Sequence, residues 1–337
     1  GRRRAPGGPV SATTAGAGGL AYRPFRDGDL PGVLRLWEEE SGWGAIGEET
    51  WREWFVDRPG GACLVMVAED GDGRVAGQLI FAPTVVRLDG EDVPAVRTGA
   101  PIVDRAHRRR SVRNPAHPAT RLYREGARAA AERGFRLLYA VPEHGWLPFF
   151  RWVGGFAEAT LPCAGVAVAS AAPAASAARG GLRAAPAAGF GAEYDALWDA
   201  ASASPLVRCG VDRGAAQMRF RNGGQLVLEA REPGSGALAG YAAFRPRDGL
   251  LVDLLARTPA ELAPVVAAAL AWLADAPEGG MAIREVKAME TPALLPALAA
   301  LGFAPVDYRF AFACTSLDPS LPADRIAPDR WYLTPRD

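Results

Sequence analysis

The sequence predicts an α/β protein with two tandem domains, each a central mixed β-sheet flanked by helices. Strand-like and helix-like segments alternate through the first half, and a shorter series of the same segments follows in the second half. An Ala/Pro/Gly-rich stretch, 170–189, separates the two halves and is predicted to be a linker. The length of 337 residues also suits two domains of average size better than one.

The first half, 20–169, predicts the element order β-α-α-β-β-β-α-β-α-β. The alternating stretch LAYRPFR predicts the first strand, and DGDLPGVLRLWEEESG predicts a helix with one apolar stripe. EETWREWFVDR predicts a second helix, while ACLVMVAED and VAGQLIFAPTVVRL predict a hairpin around the turn GDGR. The remaining elements are predicted, in order, from VPAVRTGAPIVD, PATRLYREGARAAAERG, FRLLYAV, GWLPFFRWVGGF and AEATLPCAGVAVA.

The second half, 190–317, repeats this order more briefly, with Gly240 in the place of Gly77 and Phe303 in the place of Phe156. Between these two landmarks it is shorter, and the difference falls where the first half has an arginine-rich loop. Such a repeat predicts two similar domains, of which only the first keeps an elaborated loop. Residues 1–19 are predicted to be a disordered leader, and 318–337 a C-terminal tail that does not fold back.

The composition argues against several function classes. Lys+Arg and Asp+Glu cancel at 38 each, so no overall charge draws the chain to nucleic acid or to a membrane surface. No apolar run approaches the ~20 residues needed to cross a bilayer, and we expect no membrane partner. The four cysteines form no CxxC pair and the three histidines lack ligand spacing, so we expect no metal site. We expect a cytoplasmic protein, and the Ala-, Gly- and Arg-rich composition indicates a bacterial one.

Several stretches resemble the GNAT superfamily of N-acyltransferases, in a tandem form with a degenerate second domain. In the first half they are YRPFRDGDLPGVLRLWEE, DGDGRVAGQLIF, IVDRAHRRR and RGFRLLYAVPEHGWLPFFRWVGGF. In the second half, GLLVDLLAR, LGFAPVDYRF and RWYLTPRD are similar to tandem members, some of which act on amino sugars. The resemblance implies transfer of an acyl group from acetyl-CoA or another acyl-CoA to the amine of a small molecule.

The resemblance also implies that the fourth and fifth strands separate and that the pantetheine arm lies between them. In the family, the loop after the fourth strand offers N–H groups at a helix N-terminus to the pyrophosphate. Its pattern Gln/Arg-x-x-Gly-x-Gly/Ala places Arg108 first, but Ser111 and Arg113 stand where the glycines belong. The expected cofactor-binding residues are Ile102 and Val103, through their main chains, with Arg108, Arg109, Arg110, Ser111, Val112 and Arg113.

Three interpretations of this arginine-rich stretch, RAHRRRSVRNPAHPATRLY at 105–123, stay open. Its guanidinium groups replace part of the missing main-chain cradle and bind phosphate directly. Alternatively, the loop no longer binds a cofactor, and the arginines form a solvated turn. In the third interpretation, the cluster binds a nucleic-acid backbone, for instance the tRNA of an aminoacyl donor.

Acyl transfer to an amine requires a base for the ammonium group and an acid for the leaving thiolate. The family commonly takes the base from a carboxylate on the fourth strand and the acid from a tyrosine near the Gly-Phe pair. Here AVRTGAPIV has no inward carboxylate, and Arg151 occupies the tyrosine position. The substitute catalytic candidates are His144, which suits a base near neutral pH, Glu143, Tyr139 and Asp104. Their structural alternatives are a hydrogen-bonding turn for His144 and a cap or Arg105 partner for Asp104. The resemblance to tandem members also offers a C-terminal carboxylate, which Asp337 supplies only if the tail folds back, and we do not expect it to.

Trp43 and Trp146 are candidate substrate residues, because an acceptor with an apolar or sugar-like face suits aromatic walls, whereas Trp37 is assigned to the core. The predicted function is N-acyl transfer to an amino sugar or specialised metabolite. The alternatives are a transferase with another donor, such as aminoacyl-tRNA, and a non-catalytic binding protein of the same fold. The expected partner is the small-molecule amine, and the sequence leaves a homo-oligomer open.

Overall fold

The computed structural model describes residues 19–108, 111–142, 144–153, 155–276 and 283–337. The first half has the predicted order of strands and helices. Its elements are β1 Ala21–Pro24, α1 Leu30–Glu40, α2 Glu48–Phe55, β2 Leu64–Glu69, β3 Val75–Leu88, β4 Glu91–Val103, α3 Pro118–Glu132, β5 Leu137–Ala140, α4 Leu147–Val153 and β6 Ala157–Ala167. Apolar residues dominate β2 and the first part of β3, as expected for strands buried on both faces.

The second half contains the repeated elements and further short ones. Its elements are α5 Val168–Ala178, β7 Arg183–Pro186, α6 Ala192–Ala203, β8 Cys209–Val211, α7 Ala215–Arg221, β9 Leu226–Arg231, β10 Leu238–Arg245, β11 Leu250–Ala256, α8 Pro259–Asp275, β12 Glu285–Met289, α9 Leu295–Ala300, β13 Ala304–Ser316 and β14 Trp331–Tyr332. None of the helices in the described residues combines the length and the hydrophobicity that a membrane span requires.

The stretch 170–189, predicted to be a linker, is folded. It contains most of α5 and all of β7, which pairs antiparallel with β9. Ala171 and Ala175 of α5 are buried in a core cluster, because small side chains let the helix pack closely. The alanine content that suggested a low-complexity linker is also the composition with the highest helix propensity.

The tail 318–337 folds back onto the core, contrary to the sequence-based expectation. Leu321, Ile326 and Trp331 lie in one apolar cluster with residues of β5 and β13, and β14 pairs parallel with β8. The Trp331 ring lies 4.8 Å from the ring of Phe312, and its indole N–H donates to the Ile326 carbonyl at 3.0 Å. The apolar residues of the tail therefore bury surface that a solvated segment leaves exposed.

The chain divides into two compact units. Unit 1 contains the residues up to Val56 together with Cys63–Ala82 and Thr98–Ala130. Unit 2 contains Asp57–Ala62, Pro83–Arg97 and Ala131–Asp337. This division does not coincide with the predicted domain ends at 169 and 190, because the turn between β3 and β4 and the elements from β5 onward belong to unit 2.

In unit 1, the antiparallel strands β1, β2 and β3 have helices on both faces. The β2–β3 register places Val67 opposite Gln78, so both side chains face the core that Val67 forms with α1 and α2. Phe81 lies on the other face of β3 and contacts α3. A Cβ added to Gly126 of α3 would lie 2.0 Å from the Phe81 ring, so only glycine fits there.

In unit 2, strands from the two halves of the sequence alternate. The strand order is β4-β5-β13-β6-β12-β11-β10-β9-β7, so β13 of the second half lies between β5 and β6 of the first. The antiparallel β13–β6 pairing runs from Ala304 opposite Gly165 to Cys314 opposite Ala157. β6 also pairs with β12. This exchange explains why the division of the chain does not follow its sequence repeat.

The two corresponding glycines have similar surroundings in their units. A Cβ on Gly77 of β3 would lie 3.2 Å from the Ile102 carbonyl oxygen of β4. A Cβ on Gly240 of β10 would lie 2.4 Å from the Leu255 carbonyl oxygen of β11. In both places glycine permits the close approach of the next strand.

Candidate functional site

The predicted cofactor loop begins at Asp104, directly after β4. The Asp104 carboxylate accepts a hydrogen bond from the Ala106 N–H at 2.9 Å and caps the short 3-10 turn Arg105–His107. Its other oxygen lies 3.5 Å from Arg35 and 4.0 Å from Arg74. The Ala106 hydrogen bond lowers the pKa of Asp104, and the two arginines lower it further. Asp104 is thus an ionised cap with ion pairs to helix α1 and to the β2–β3 turn, which makes it a weak base.

Glu40, at the end of α1, binds two arginines of the loop. Arg105 Nε lies 2.9 Å from Glu40 Oε1, and Arg108 Nη2 lies 2.8 Å from Oε2. Arg108 also donates to the main-chain oxygens of Glu40 at 2.9 Å and Val103 at 2.5 Å. The side chains of Arg105 and Arg108 stay 76% and 45% exposed, whereas that of Glu40 is 6% exposed. One nearly buried carboxylate is therefore shared by two exposed guanidinium groups.

The body of the loop, 111–117, is held by its own hydrogen bonds. The Ser111 hydroxyl and carbonyl accept from the N–H groups of Arg113 and Asn114. Asn114 in turn accepts from the N–H groups of Ala116 and His117, each at 2.9 Å. These main-chain donors are consequently used inside the loop and do not form a ready cradle for an anion.

His117 caps the start of α3. The Ala119 N–H donates to His117 Nδ1 at 3.2 Å, and the Arg121 N–H donates to the His117 carbonyl at 3.0 Å. Burial of the ring lowers the pKa of His117, which keeps the imidazole neutral and able to accept this bond. The helix start thus has an internal partner for one of the N–H groups that anion-binding helices offer to phosphate.

The described part of the loop fits a diphosphate through its side chains and not through its main chain. Pro115 and Pro118 have no N–H group to donate. Arg105, Arg108 and the exposed Arg113 supply guanidinium donors on the surface of the loop. Of the other predicted cofactor residues, Ser111 is exposed and Val112 is partly buried, while Arg109 and Arg110 lie outside the described residues.

A left-handed residue interrupts β4 just before this loop. Ala100 has a φ of +50°, a conformation that is costly for a residue with a Cβ. The strand then continues through the buried residues Ile102 and Val103, and the Asp104 N–H donates to the Ala76 carbonyl of β3 at 2.9 Å. Strand irregularities of this kind redirect side chains and main-chain groups and are frequent next to active sites.

An aromatic surface lies on α1, α2 and the segment between them. Trp43 is 58% exposed, and its ring lies 5.3 Å from the ring of Trp37. In the core of these helices, the indole N–H groups of Trp37 and Trp51 and both amide atoms of Gln78 are buried without a hydrogen-bond partner. Buried polar groups without partners are rare and costly.

The sequence analysis did not identify Ala100 or Gln78. The Gly-Ala-Pro sequence 99–101 inside a strand is a signal of an irregular strand, because glycine and proline both disfavour regular pairing. Gln78 is a lone polar residue at an inward position of an otherwise apolar strand. The sequence therefore contains a signal for each of these two residues. The alternation of polar and apolar residues, however, does not indicate that either has a functional role.

The other predicted site residues belong to unit 2. Tyr139 of β5 is 2% exposed, and burial raises its pKa to about 12, so the phenol is neutral at neutral pH and can act only as a proton donor. Trp146 is partly buried, and its ring lies 5.6 Å from the ring of Phe149. Glu143 lies outside the described residues, and so does the side chain of His144. Among the candidates in unit 1, the side chains of Trp43, Asp104, Arg108 and Ser111 make contacts that define their surroundings.

Solved structures share this fold, although no protein-family model and no curated protein matches the chain. A GCN5-related N-acetyltransferase from Kribbella flavida has a TM-score of 0.61 at 15% identity, over 89% of this chain and 72% of that one. A tandem GNAT protein from the clavulanic acid biosynthesis pathway has a TM-score of 0.50 at 19% identity, over 90% of this chain and 100% of that one.

Saccharomyces cerevisiae N-myristoyltransferase, solved with bound myristoyl-CoA, is similar as well. Its TM-score is 0.56 at 10% identity, over 91% of this chain and 85% of that one. At these identities the matches establish the fold. The chain therefore has the GNAT fold in a tandem arrangement, which confirms the fold predicted from the sequence.

Proposed function

We propose that this protein is an N-acyltransferase that moves an acyl group from acyl-CoA to the amine of a small molecule. The observation that carries the proposal is the exposed ring of Trp43 against Trp37, above a core in which polar atoms of Trp37, Trp51 and Gln78 have no partner. An acceptor with one apolar face, such as an amino sugar, supplies both a stacking partner for Trp43 and hydrogen bonds for the amide of Gln78.

The proposed donor binds at the loop that follows β4. Bound acyl-CoA supplies an activated thioester carbonyl and a diphosphate. Arg105, Arg108 and Arg113 hold the diphosphate by charge-assisted hydrogen bonds. These side-chain bonds replace the main-chain hydrogen bonds that a glycine-rich loop would donate. The shared carboxylate of Glu40 keeps Arg105 and Arg108 in place before binding. Main-chain groups of Ile102 and Val103, beyond the irregular residue Ala100, are the proposed contacts of the pantetheine arm.

The proposed proton transfer uses a residue after β5. His144 is the proposed base for the acceptor ammonium group, because an imidazole titrates near neutral pH. Tyr139 is a candidate acid from the sequence, but its ring is buried and packs against Phe312 and Trp331, so it belongs to the core of unit 2. Asp104 is a weaker candidate for the base, because its carboxylate is already bound by Ala106 and the nearby arginines.

Calorimetry with acetyl-CoA tests the donor. The wild type is expected to bind, and Arg108→Gln is expected to weaken binding about tenfold, the usual effect of losing a charged hydrogen bond. Arg128→Gln is the matched control, because Arg128 is also an exposed arginine paired with a glutamate, Glu125, at 2.9 Å. No heat with the wild type at millimolar acetyl-CoA would overturn the assignment of the donor.

A non-catalytic binding protein is the second candidate, favoured by the ion pairs of Glu40 with Arg105 and Arg108. If these pairs are permanent, Arg105 and Arg108 have no charge left for a diphosphate. This candidate predicts thermal stabilisation by a small amine without any response to acetyl-CoA. A transferase with an aminoacyl-tRNA donor predicts salt-sensitive binding of tRNA instead.

A further inference from the structure

Unit 2 contains a buried ion-pair network that the proposed acyl transfer does not use. At its centre is Arg213, whose side chain has no exposed surface. Arg213 Nε lies 3.0 Å from Asp253 Oδ1, and its Nη2 lies 2.5 Å from Asp337 Oδ2 and 3.0 Å from the Thr334 hydroxyl. The Tyr241 hydroxyl donates to the second oxygen of Asp253 at 3.2 Å. These central groups satisfy one another.

Arg221, at the end of α7, joins this network but keeps a free donor. Its Nη2 lies 2.8 Å from Asp337 Oδ1, and its Nη1 makes a long contact of 3.4 Å with the Asp212 carbonyl. The side chain is 10% exposed, and its buried Nε has no hydrogen-bond partner. A guanidinium group this deeply buried normally has all its N–H groups bonded.

Arg97 and Arg336 add two more guanidinium groups. Arg97 Nη1 makes a long hydrogen bond of 3.5 Å to the Arg336 main-chain oxygen. The buried Nε of Arg336 has no hydrogen-bond partner. In the described part of the chain, neither side chain forms an ion pair. Burial lowers the pKa of both side chains, and the charge of Arg221 lowers each further.

The charges of this group do not balance. The side-chain carboxylates of Asp253 and Asp337 form ion pairs with Arg213 and Arg221, while Arg97 and Arg336 lie within the influence of these charges and add two more guanidinium groups. The nearby Asp212 carboxylate accepts instead from the Gly214 N–H at 2.8 Å, and burial raises its pKa. The surrounding tyrosines are neutral, because burial raises the pKa of Tyr139, Tyr241 and Tyr332. A partly buried excess of positive charge is unfavourable unless an anion compensates it.

We propose that Arg97, Arg221 and Arg336 form a binding site for an oxyanion, the carboxylate or phosphate group of a small molecule. The planar fork of a guanidinium group matches either group with two parallel hydrogen bonds. The unpartnered Nε atoms of Arg221 and Arg336 are the donors that the anion binds, while Arg213 and the two aspartates hold the site rigid from behind. The site goes beyond the proposed acyl transfer and does not depend on it, because an anion can bind here whether or not the protein transfers an acyl group.

The first test is thermal unfolding with inorganic phosphate, with acetate and with chloride at equal ionic strength. A ligand that binds only the folded state raises Tm as its concentration increases. We expect phosphate or acetate to raise Tm above the chloride value, and the more effective of the two identifies the chemistry of the group. If neither anion exceeds chloride, the proposal is wrong.

The second test uses Arg97→Gln and Arg336→Gln. We expect each to weaken binding of the effective anion about tenfold or more. Without the anion, each is expected to unfold at the same temperature as the wild type or higher, because a repulsive buried charge has been removed. Arg183→Gln is the control, since Arg183 is an exposed arginine of β7 in the same unit and is expected to change neither property.

The two readouts separate a binding role from a structural one. A lower Tm for Arg97→Gln without anion, combined with unchanged anion affinity, would assign these arginines to the fold alone and refute the site. If Arg97→Gln does not fold, Arg336→Gln gives the same decision, because the Arg336 side chain forms no hydrogen bond within the described residues. Acetyl-CoA calorimetry is independent of both results, so failure of this site and failure of the proposed acyl transfer are distinguishable.

Discussion

Arg108 illustrates how a single contact changes the meaning of a sequence motif. The arginine-rich stretch predicts a set of guanidinium groups that face a ligand, whereas in the structure Arg105 and Arg108 are bound to Glu40, which lies 65 and 68 positions earlier in the chain. The two guanidinium groups stay exposed, although the Glu40 carboxylate that binds them is nearly buried. The pairs therefore orient the arginines and leave their outer N–H groups accessible to a diphosphate.

Gln78 provides a direct test of the proposed acceptor surface at the scale of one residue. We expect Gln78→Leu to raise the free energy of unfolding by about 1 kcal/mol, because an apolar group of similar size removes a buried amide without partners. If an amine acceptor binds here, the same change raises its KM. Thermal unfolding measures the first effect, and steady-state kinetics with a panel of amino sugars measures the second.

Thr84→Val is the control for this change. Thr84 is another buried polar residue of β3, but its hydroxyl is not one of the buried groups without a hydrogen-bond partner. It is expected to leave KM unchanged. A clear loss of stability in Gln78→Leu would mean that the amide has a partner in the protein and would remove the main support for the acceptor surface.

At the scale of elements, the start of α3 decides how the loop meets the helix. The GNAT resemblance implies a helix N-terminus that is open to phosphate, but here His117 caps the helix and the loop bonds to itself. The sequence contains the cause, because HPAT places a histidine one residue before the helix-starting proline. Ring nitrogens are unusual caps, however, and only the structure shows that Nδ1 points to the Ala119 N–H.

This cap predicts a pH dependence of stability. The folded-state pKa of His117 is lowered from 6.5 by burial, so the unfolded chain binds the proton more readily. The contribution of His117 is therefore complete above pH 6.5 and is lost as the pH falls below that value. We expect His117→Ser, which keeps a side-chain oxygen acceptor at the cap, to flatten the decrease in Tm between pH 7 and pH 5. An unchanged pH profile in this variant would show that the imidazole does not control the stability of the helix start.

At the scale of the whole molecule, the exchange of strands ties the two sequence halves together in unit 2. β13 pairs with both β5 and β6, and β6 pairs with β12. The last strand of each half thus completes its hydrogen bonding with the other half. Two independent domains joined by a linker would not need to share strands in this way. The stretch 170–189 is likewise not a linker, because it is folded and pairs with β9 through β7.

Cutting the chain tests this arrangement. A protease site inserted between Gly180 and Gly181, which are both exposed, separates the two sequence halves without breaking a strand. We expect the cut pieces to elute together on size exclusion and to unfold in one transition, because the β13–β6 and β12–β6 ladders hold them. The uncut protein with the same insertion is the control. Pieces that separate in native buffer would contradict the strand exchange.

The periodicity of the sequence determined the order of strands and helices, the repeat and the correspondence of Gly77 with Gly240, because these depend on local hydrophobic patterns and on close contacts between neighbouring elements. Tertiary structure alone decided the insertion of β13 between β5 and β6, the pairing of Glu40 with Arg108, and the burial of Asp337 against Arg213 and Arg221. Each of these joins residues far apart in the chain, and a pattern read along the sequence does not show which distant partners share hydrogen bonds and charge.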